Sequence, residues 1–238
     1  MTPIKTDERL SLAMQFVREG SVVADIGTDH GYIPVALLTG GVCPFAYASD
    51  VNAMPLDKAR ANAEKYGVSD RVSLHLSDGL RFIDEDKTLP EHPVDDIVIC
   101  GMGGELIARI IDDSAYAKRD GVRLILQPMT MADKLREYLA ENGFSTVDER
   151  LCSAAGKTYT VICAEHDGVI REITPVNALL GEKNIARGGV LFEKYARSKK
   201  AKLETKIRGL TSGGYDCAAE TALLGEVNRI IEETRTEQ

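Results

Sequence analysis

Three aspartates stand where successive apolar, β-branched stretches of the sequence end. They are Asp25, Asp50 and Asp78, which close residues 22–26, 45–49 and 72–76 in that order. A carboxylate can accept two hydrogen bonds side by side, which suits it to a pair of ribose hydroxyls or to an amino group. The carboxyl ends of parallel strands meet at one edge of a sheet, where open α/β proteins bind ligands. One such aspartate is ordinary for a loop or a cap, whereas three in succession favour a ligand site.

The first of these stretches runs into a glycine turn and then into a segment with helical character. The turn contains Gly27, Thr28, Asp29, His30 and Gly31. It departs from the dinucleotide fingerprint G-x-G-x-x-G, because Asp29 takes the place of the second glycine and its carboxylate would repel a pyrophosphate. A carboxylate there suits a cationic ligand, such as the sulfonium of S-adenosylmethionine. The alternative is a plain strand-to-helix loop of any doubly wound fold.

The elements that must position these residues alternate along the chain with short links. Apolar, β-rich stretches predict strands at residues 22–26, 45–49, 72–76, 96–100, 123–127, 144–151 and 158–164. Helical spacing predicts helices at residues 9–17, 32–38, 53–66 and 131–142. A further helix follows the glycines at residues 101–104 and ends at residue 111. This alternation predicts an α/β fold with a mostly parallel sheet and helices on both faces. The last two strands have no helix between them and must form an antiparallel hairpin, a habit of Rossmann-like methyltransferases.

The tail of the chain has a different character. Residues 186–210 and the segment around residues 223–231 carry helical apolar stripes, and Gly213 and Gly214 separate them. These features predict a first domain at residues 1–167 and a C-terminal helical hairpin, coiled-coil-like, within residues 168–238. The hairpin could also serve as a dimerisation device, so self-association is a further expectation.

Positive charge is concentrated in the first of these tail helices. The chain has a net charge of −8, yet residues 187–208 carry a net charge of +6. Charge segregated in this way is what a phosphate-binding surface on an acidic protein needs, although a run of charge is more often a solvated helix face. We interpret these cations as contacts to RNA: Arg187, Lys194, Arg197, Lys199, Lys200, Lys202, Lys206 and Arg208.

The composition limits the function classes. The chain has 238 residues with a hydrophobic share of 44%, enough for a folded core. No apolar run approaches the length of a membrane helix, and the first residues lack a signal-peptide core. The five cysteines are widely spaced, with no C-x-x-C pair. These features predict a cytoplasmic protein without structural metal or membrane contact.

Several motifs together resemble the bacterial tRNA (adenine(22)-N(1))-methyltransferase family. They are D-I-G-T-D-H-G at residues 25–31, S-D-V-N at 49–52, I-C-G-M-G-G at 99–104, L-I-L-Q-P-M at 124–129, and Glu149 followed by G-K-T-Y at 156–159. The resemblance spans nearly the whole chain, except that Met54 stands before Pro55 where we expect glycine. It implies a class I Rossmann-like methyltransferase domain, S-adenosylmethionine as cofactor, and a C-terminal helical hairpin that helps to hold tRNA.

On this reading, each aspartate at a strand end has a separate role toward the cofactor. Asp25 would fix the turn and the amino-acid end of the cofactor, Asp50 would accept from both ribose hydroxyls, and Asp78 from the adenine amine. The remaining residues assigned to the cofactor site adjoin these three or follow the fourth strand: Gly27, Thr28, Gly31, Val51, Gly79, Gly101 and Met102.

The loop that normally faces the reacting base has no aromatic side chain here. Residues 100–104 replace an N-P-P-Y type motif, so a clamp on the base would come from Tyr32 or Tyr159, unless both are packing residues. Asp29 and His30 are the predicted catalytic residues, with Asp29 stabilising the positive charge that develops on the base. Asp29 as a helix cap and His30 as a structural hydrogen-bonding residue are the alternatives.

The reaction predicted from these residues is methylation of N1 of adenine 22 in tRNA. Methylation of a small molecule or a protein is the enzymatic alternative, and the basic tail argues against it. A non-catalytic cofactor-binding module that acts through its helical hairpin is the alternative of another class.

Overall fold

The computed structural model describes residues 4, 6–85 and 92–236. One seven-stranded sheet in the order β3-β2-β1-β4-β5-β7-β6 forms its centre. The strands are β1 Val23–Ile26, β2 Ala46–Asp50, β3 Val72–Leu76, β4 Asp96–Gly103, β5 Arg123–Thr130, β6 Phe144–Ala154 and β7 Lys157–His166. The first five are parallel, and β7 is antiparallel to both β5 and β6. This is the class I Rossmann-like methyltransferase sheet that the sequence predicts.

Ten helices accompany these strands in the described part of the chain. They are α1 Glu8–Met14, α2 Tyr32–Thr39, α3 Ala53–Lys65, α4 Arg81–Glu85, α5 Gly104–Asp112, α6 Ala132–Glu141, α7 Pro175–Leu180, α8 Glu182–Arg187, α9 Gly189–Ser212 and α10 Ala218–Thr236. None of these described helices is long and apolar enough to cross a membrane.

The central strands read as continuous apolar runs because both of their faces are buried. In β4, Ile97 and Ile99 belong to one core cluster, whereas Val98 belongs to the cluster on the opposite face. Leu124 and Ile125 of β5 divide between the two clusters in the same way. This alternation is the period-2 geometry of a strand covered by helices on both sides. The sheet is therefore packed on both faces up to the carboxyl edge at which β1, β2 and β4 end.

Several predicted boundaries shift. The first helix ends at Met14 rather than at residue 17, and β5 continues to Thr130 instead of stopping at residue 127. The last two strands extend toward each other until only Ala155 and Gly156 lie between them. Both residues have positive φ, as a two-residue hairpin turn requires. The predicted link of about half a dozen residues was wrong, because the small residues 152–154 continue β6 and pair with residues 157–159 of β7.

The tail is more divided than the sequence predicts. The expected single helix over residues 186–210 is two helices, because Gly188 separates α8 from α9, and both Gly188 and the first residue of α9, Gly189, have positive φ. Helices α9 and α10 form the predicted antiparallel hairpin, and α7 and α8 precede it. The predicted domain boundary at residues 167 and 168 falls in the link between β7 and α7.

A buried ion pair joins the tail to the sheet. Arg136 of α6 and Glu149 of β6 are 4% and 1% exposed, with Nη2 and Oε1 2.6 Å apart. The Arg136 guanidinium also donates to the carbonyl oxygens of Ala178 and Leu179, which belong to α7. Apolar side chains of α7, α9 and α10 form a third core cluster, against which Leu151 of β6 packs. The tail is thus anchored to the sheet by both polar and apolar contacts.

Candidate cofactor and acceptor site

A cavity of about 450 Å³ opens where β1, β2 and β4 end. Six of the residues predicted from sequence line it: Asp25, Gly27, Asp29, Asp50, Gly101 and Met102. They come from three different strand-to-helix connections, which only the parallel sheet brings together. The cavity wall also includes Tyr32, Ile33 and Cys100.

Asp25 is the most deeply buried acid of the cavity wall, with 4% of its surface exposed. Burial, together with the negative charges of Asp50 and Asp29, raises the pKa of Asp25 to about 7. The Thr28 hydroxyl lowers that pKa in part, although its position falls short of a hydrogen bond. A cation bound beside Asp25 would favour its ionised form, so this carboxyl can couple ligand binding to proton release.

The glycine turn is shaped by close packing. A Cβ built on Gly27 would lie 2.0 Å from Met102 Cε, and one on Gly31 would lie 2.8 Å from Ala59 Cβ. Both glycines also have positive φ. Gly27 therefore makes room for Met102, and Gly31 lets α2 begin close to α3, while the amides of Gly27 and Thr28 donate to the Ser49 carbonyl across the sheet.

Asp29 lines the cavity, and the imidazole of His30 lies beside it without being part of the cavity wall. Asp29 is 80% exposed, and its Oδ1 lies 3.1 Å from His30 Nδ1 at an angle unsuited to a hydrogen bond. His30 has a φ of 64°, an uncommon conformation for a residue with a side chain and one that recurs at functional sites. Asp29 is not the helix cap of the alternative interpretation, since Gly31 is the cap residue of α2 and no side-chain cap accepts from the first amides of this helix.

Asp50 closes β2 with its carboxylate partly engaged. Its Oδ1 accepts from the backbone amide and the side-chain amide of Asn52, at 2.7 and 3.2 Å. These bonds hold the side chain in place at the cavity and leave Oδ2 for a ligand. Val51 beside it is 59% exposed, an apolar surface at the edge of the sheet.

Asp78 and Gly79 do not line this cavity. Asp78 is exposed, and both residues border a separate small depression near Arg81 and Arg109. A Cβ on Gly79 would lie 3.1 Å from Ile110 Cγ2, so this glycine serves packing against α5. Thr28 is buried beneath the cavity, and it and Gly31 are not part of its wall either.

Sequence reasoning missed the contribution of the N-terminal segment. Thr6, Asp7, Arg9 and Leu10 all line the cavity. Asp7 caps α1 by accepting from the amides of Arg9 and Leu10, and its carboxylate pairs with the Arg9 guanidinium. The cavity wall thus holds four carboxylates and a single guanidinium, that of Arg9. Such a wall favours a ligand with more positive than negative groups.

Cys100 shares the wall but is not suited to act as a nucleophile. Burial and the nearby Asp25 raise the pKa of its thiol well above the usual value. Among the described residues, no cluster of three or more His, Cys, Asp and Glu side chains could hold a metal ion.

A family model described as a methyltransferase domain matches residues 6–162. The tRNA (adenine(22)-N(1))-methyltransferase of Bacillus subtilis is 33% identical over 165 residues, which make up 69% of this chain and 67% of that protein. The chain belongs to the tRNA (adenine(22)-N(1))-methyltransferase family.

Solved structures of similar proteins agree with this over the tail as well. The B. subtilis m1A22 tRNA methyltransferase has a TM-score of 0.78 and 27% identity over 97% of this chain and 99% of that one. A Streptococcus pneumoniae structure in complex with S-adenosyl-L-methionine has a TM-score of 0.78 and 29% identity over the same shares. The likeness therefore includes α7 to α10 together with the methyltransferase sheet.

The two tyrosines considered for the acceptor base lie in different places. Tyr32 lines the cavity, with its ring 5.2 Å from that of His30. Tyr159 of β7 instead lies under the Arg9 guanidinium, 5.3 Å from ring centroid to Cζ, and packs against a core cluster. Tyr32 is thus the tyrosine placed to meet a ligand in this cavity, while Tyr159 supports Arg9.

The predicted RNA-contacting cations divide into two groups. Arg187 lies in α8 and pairs with Asp148 of β6 at 2.9 Å, so it helps to dock the tail. The other seven lie on α9, where Arg197, Lys200 and Lys206 pair with glutamates and Lys199 lies over the Tyr195 ring. Lys194, Lys202 and Arg208 are exposed, and no carboxylate partner stands within ion-pair distance of them in the described residues.

Proposed function

We propose that this chain transfers the methyl group of S-adenosylmethionine to N1 of adenine 22 in tRNA. The observation that carries the proposal is the cavity at the carboxyl edge of the sheet, which combines four carboxylates and one guanidinium in a chain of this family. The sulfonium and the ammonium of S-adenosylmethionine are cations, and its single carboxylate would need a cationic partner. The charged groups of this cavity therefore fit the cofactor.

Different residues of the cavity would contact different parts of the cofactor. Asp50 Oδ2 is free to accept from the ribose hydroxyls, and Val51 adds an apolar surface beside the nucleoside. Asp25 would face the ammonium end, and Arg9, which also pairs with Asp7, would be the cation beside the carboxylate. Asp78 and Gly79 lie beyond this wall, so their contact with adenine would require the base to reach past the end of β3.

The cofactor supplies an electrophilic methyl group on sulfur. N1 of neutral adenine keeps a lone pair, so no base has to remove a proton before the new N–C bond forms. As that bond forms and the S–C bond breaks, the positive charge passes from sulfur to the adenine ring. The task of the chain's own residues is therefore to orient the base and to place negative charge beside it.

Asp29 meets this second requirement. Its carboxylate is exposed at the cavity wall, it is not used as a helix cap, and His30 stands next to it. We assign Asp29 the stabilisation of the cationic product and His30, together with Tyr32 and the backbone of Gly101 to Gly103, the orientation of the base. The Asp29 carboxylate becomes most effective when the tRNA covers it and excludes water.

The tRNA is held by α9. Lys194, Lys202 and Arg208 are its exposed cations without carboxylate partners, and they are available to phosphates without the loss of an ion pair. Arg187 contributes indirectly by docking the tail. A tRNA substrate supports the expectation of a cytoplasmic enzyme, and self-association through the hairpin stays a prediction.

The proposal is tested by incubating the full chain with unmodified tRNA and methyl-labelled S-adenosylmethionine, followed by digestion and nucleoside analysis. The expected product is 1-methyladenosine. Asp50→Ala serves as a control and should weaken cofactor binding by roughly 1.5–3 kcal/mol in calorimetry. Label that enters protein or a small molecule, but not tRNA, would contradict the proposal, and cofactor binding without any transfer would leave a binding module.

A further inference from the structure

One polar side chain interrupts the apolar interior of β5. Gln127 is fully buried, whereas its neighbours Leu124 to Leu126 are apolar and belong to the two core clusters. A buried primary amide has two donor and two acceptor positions, and each one left without a partner would destabilise the fold. The hydrogen-bond partners of the Gln127 amide therefore indicate which part of the structure it stabilises.

The strand beside it has a bulge at this level. Cys100 of β4 is opposite Gln127 and Met102 is opposite Pro128, so Gly101 has no partner residue in β5. Gly101 has a φ of 82°, and a Cβ there would touch nothing within 4 Å. Glycine is thus required at this position for its backbone conformation and not for space. The bulge turns Met102 toward Gly27 and shapes the end of β4, residues 101–103, which we name the 101–103 loop or Gly101 loop; its Gly101 and Met102 line the cavity.

The Gln127 side chain supplies the hydrogen bond that the ladder lacks at the bulge. The Gly101 amide donates to Gln127 Oε1 at 3.2 Å. Gln127 Nε2 donates to the Pro128 carbonyl at 3.0 Å and faces Met129 Sδ at 3.8 Å. These partners fix the orientation of the amide, because exchanging its oxygen and nitrogen would set a donor against the Gly101 amide.

The same oxygen also meets the N-terminal segment. Arg9 Nη1 lies 3.5 Å from Gln127 Oε1, a longer contact than the one from Gly101. Arg9 has other supports, since Asp7 pairs with it and the Tyr159 ring lies beneath it. Loss of the Gln127 side chain would therefore release the Gly101 loop more than it would release Arg9.

We infer that Gln127 is a positioning residue for methyl transfer, which holds the bulge at Gly101 so that the 101–103 loop presents its backbone to the acceptor base. This inference rests on the proposed function for the identity of the acceptor. Its structural half, the link between the Gln127 amide and the Gly101 amide, does not depend on any activity. The inference gives this link no contact with the reacting S–C or N–C bond, so its effect on the reaction is through the geometry of the loop.

The test uses the full chain with Gln127→Leu, which removes both the acceptor and the donor. Amide hydrogen exchange at Gly101 should accelerate at least tenfold, kcat should fall about tenfold or more, and cofactor affinity should change less than threefold. Ile125→Val is the matched control, because Ile125 is also buried in β5, two residues from Gln127, and belongs to the core cluster that contains Val98. It should leave both kcat and the Gly101 exchange rate unchanged.

Gln127→Glu separates positioning from a merely structural role. A protonated carboxyl can donate to the Pro128 carbonyl and accept from the Gly101 amide, as the amide does, whereas an ionised one cannot donate. The kcat of this variant should approach that of the wild type at low pH and fall as the pH rises, with no such fall in the wild type.

Unchanged Gly101 exchange in Gln127→Leu would overturn the inference. So would accelerated exchange with unchanged kcat, or equal losses of kcat in Gln127→Leu and Gln127→Glu at every pH. If the wild type itself does not methylate tRNA, the proposed function fails, and the exchange measurement still decides whether Gln127 holds the loop.

Discussion

The terminal methyl of Met102 fills the space that a side chain at Gly27 would need. Met102 Cε lies 2.0 Å from the ideal Cβ position at Gly27. Met102 belongs to the bulged end of β4 and Gly27 to the turn after β1, so these two segments of the cavity wall interlock at this point. Gly27, which the sequence predicts to be required for ligand binding, is thus also required by the packing of Met102.

Gly27→Ala should weaken both folding and cofactor binding. Alanine in the left-handed region costs on the order of 1–2 kcal/mol, and the clash with Met102 adds to this. The double variant Gly27→Ala, Met102→Ala keeps the backbone strain but removes the clash, so the two substitutions should be less than additive. Urea unfolding and calorimetry check this, and strict additivity would show that the contact is unimportant.

The raised pKa of Asp25 makes cofactor affinity depend on pH. With the pKa of Asp25 at about 7 in the folded protein, the carboxyl is mostly protonated at pH 6 and mostly ionised at pH 8. Affinity for the cationic cofactor should therefore rise from pH 6 to pH 8. Within this range, binding of the cofactor should release a proton from Asp25. Calorimetry in two buffers of different ionisation enthalpy measures the released proton, and Asp25→Asn should abolish the release.

The same shift has a defined sign for stability. Since the folded-state pKa lies above the unfolded value of about 3.9, the folded protein binds the extra proton between pH 4 and 7. Stability from this group is complete below pH 4, declines by on the order of 1 kcal/mol per pH unit as the pH rises through 7, and is flat beyond. Urea unfolding of the wild type should show this decline relative to Asp25→Asn. Parallel curves for the two proteins would contradict the assignment.

Arg136→Ala should destabilise the whole chain by about 3–5 kcal/mol, because it leaves the Glu149 carboxylate buried without its ion-pair partner. Arg150→Ala removes a half-buried arginine that pairs with Asp148 near the surface and should cost about 1 kcal/mol or less. Chemical denaturation compares the two. Equal small effects would indicate that water enters beside Glu149 and that the tail is loosely docked.

Asp29→Asn should lower kcat about a hundredfold, equivalent to about 2.7 kcal/mol, with little change in cofactor affinity. The substitution keeps the shape of the side chain and removes only its charge. Asp57→Asn on the exposed surface of α3 is the matched control and should leave kcat unchanged. Steady-state kinetics under saturation with both substrates gives the comparison, and near-normal turnover of Asp29→Asn would remove this residue from the chemistry.

The division of the α9 cations can be tested by two triple variants with the same change in charge. Alanine at Lys194, Lys202 and Arg208 removes unpaired cations, and alanine at Arg197, Lys200 and Lys206 removes paired ones. The first variant should lose more tRNA affinity and reduce the slope of log affinity against log salt by about 2. Filter binding over a range of salt measures both, and equal effects would indicate that only the total charge matters.

The sequence was sufficient for the features that depend on local patterns. The aspartates and glycines after β1 and β2 could be placed at one edge because the alternation of strands and helices allows only a parallel sheet. The antiparallel hairpin followed from the missing helix between the last two strands. These inferences need periodicity and connection length, both of which can be read along the chain.

Other features depend on contacts between residues far apart in sequence. Arg9 reaches the cavity because α1 packs against β5, β6 and β7, and nothing in the first ten residues signals this contact. Asp78 was assigned to the cavity because it follows a strand, but β3 is at the edge of the sheet and its loop turns toward α5. Gln127 carried a signal that could have been used, since a lone amide in an apolar buried strand needs partners.

The central claim is tested most directly by a pair of tRNA transcripts that differ only at position 22. One carries adenine there and the other carries guanine, and each is incubated with the full chain and methyl-labelled S-adenosylmethionine. We expect 1-methyladenosine in the first transcript and background label in the second. Equal labelling of both transcripts, or label in neither while a small molecule or a protein is methylated, would contradict the account.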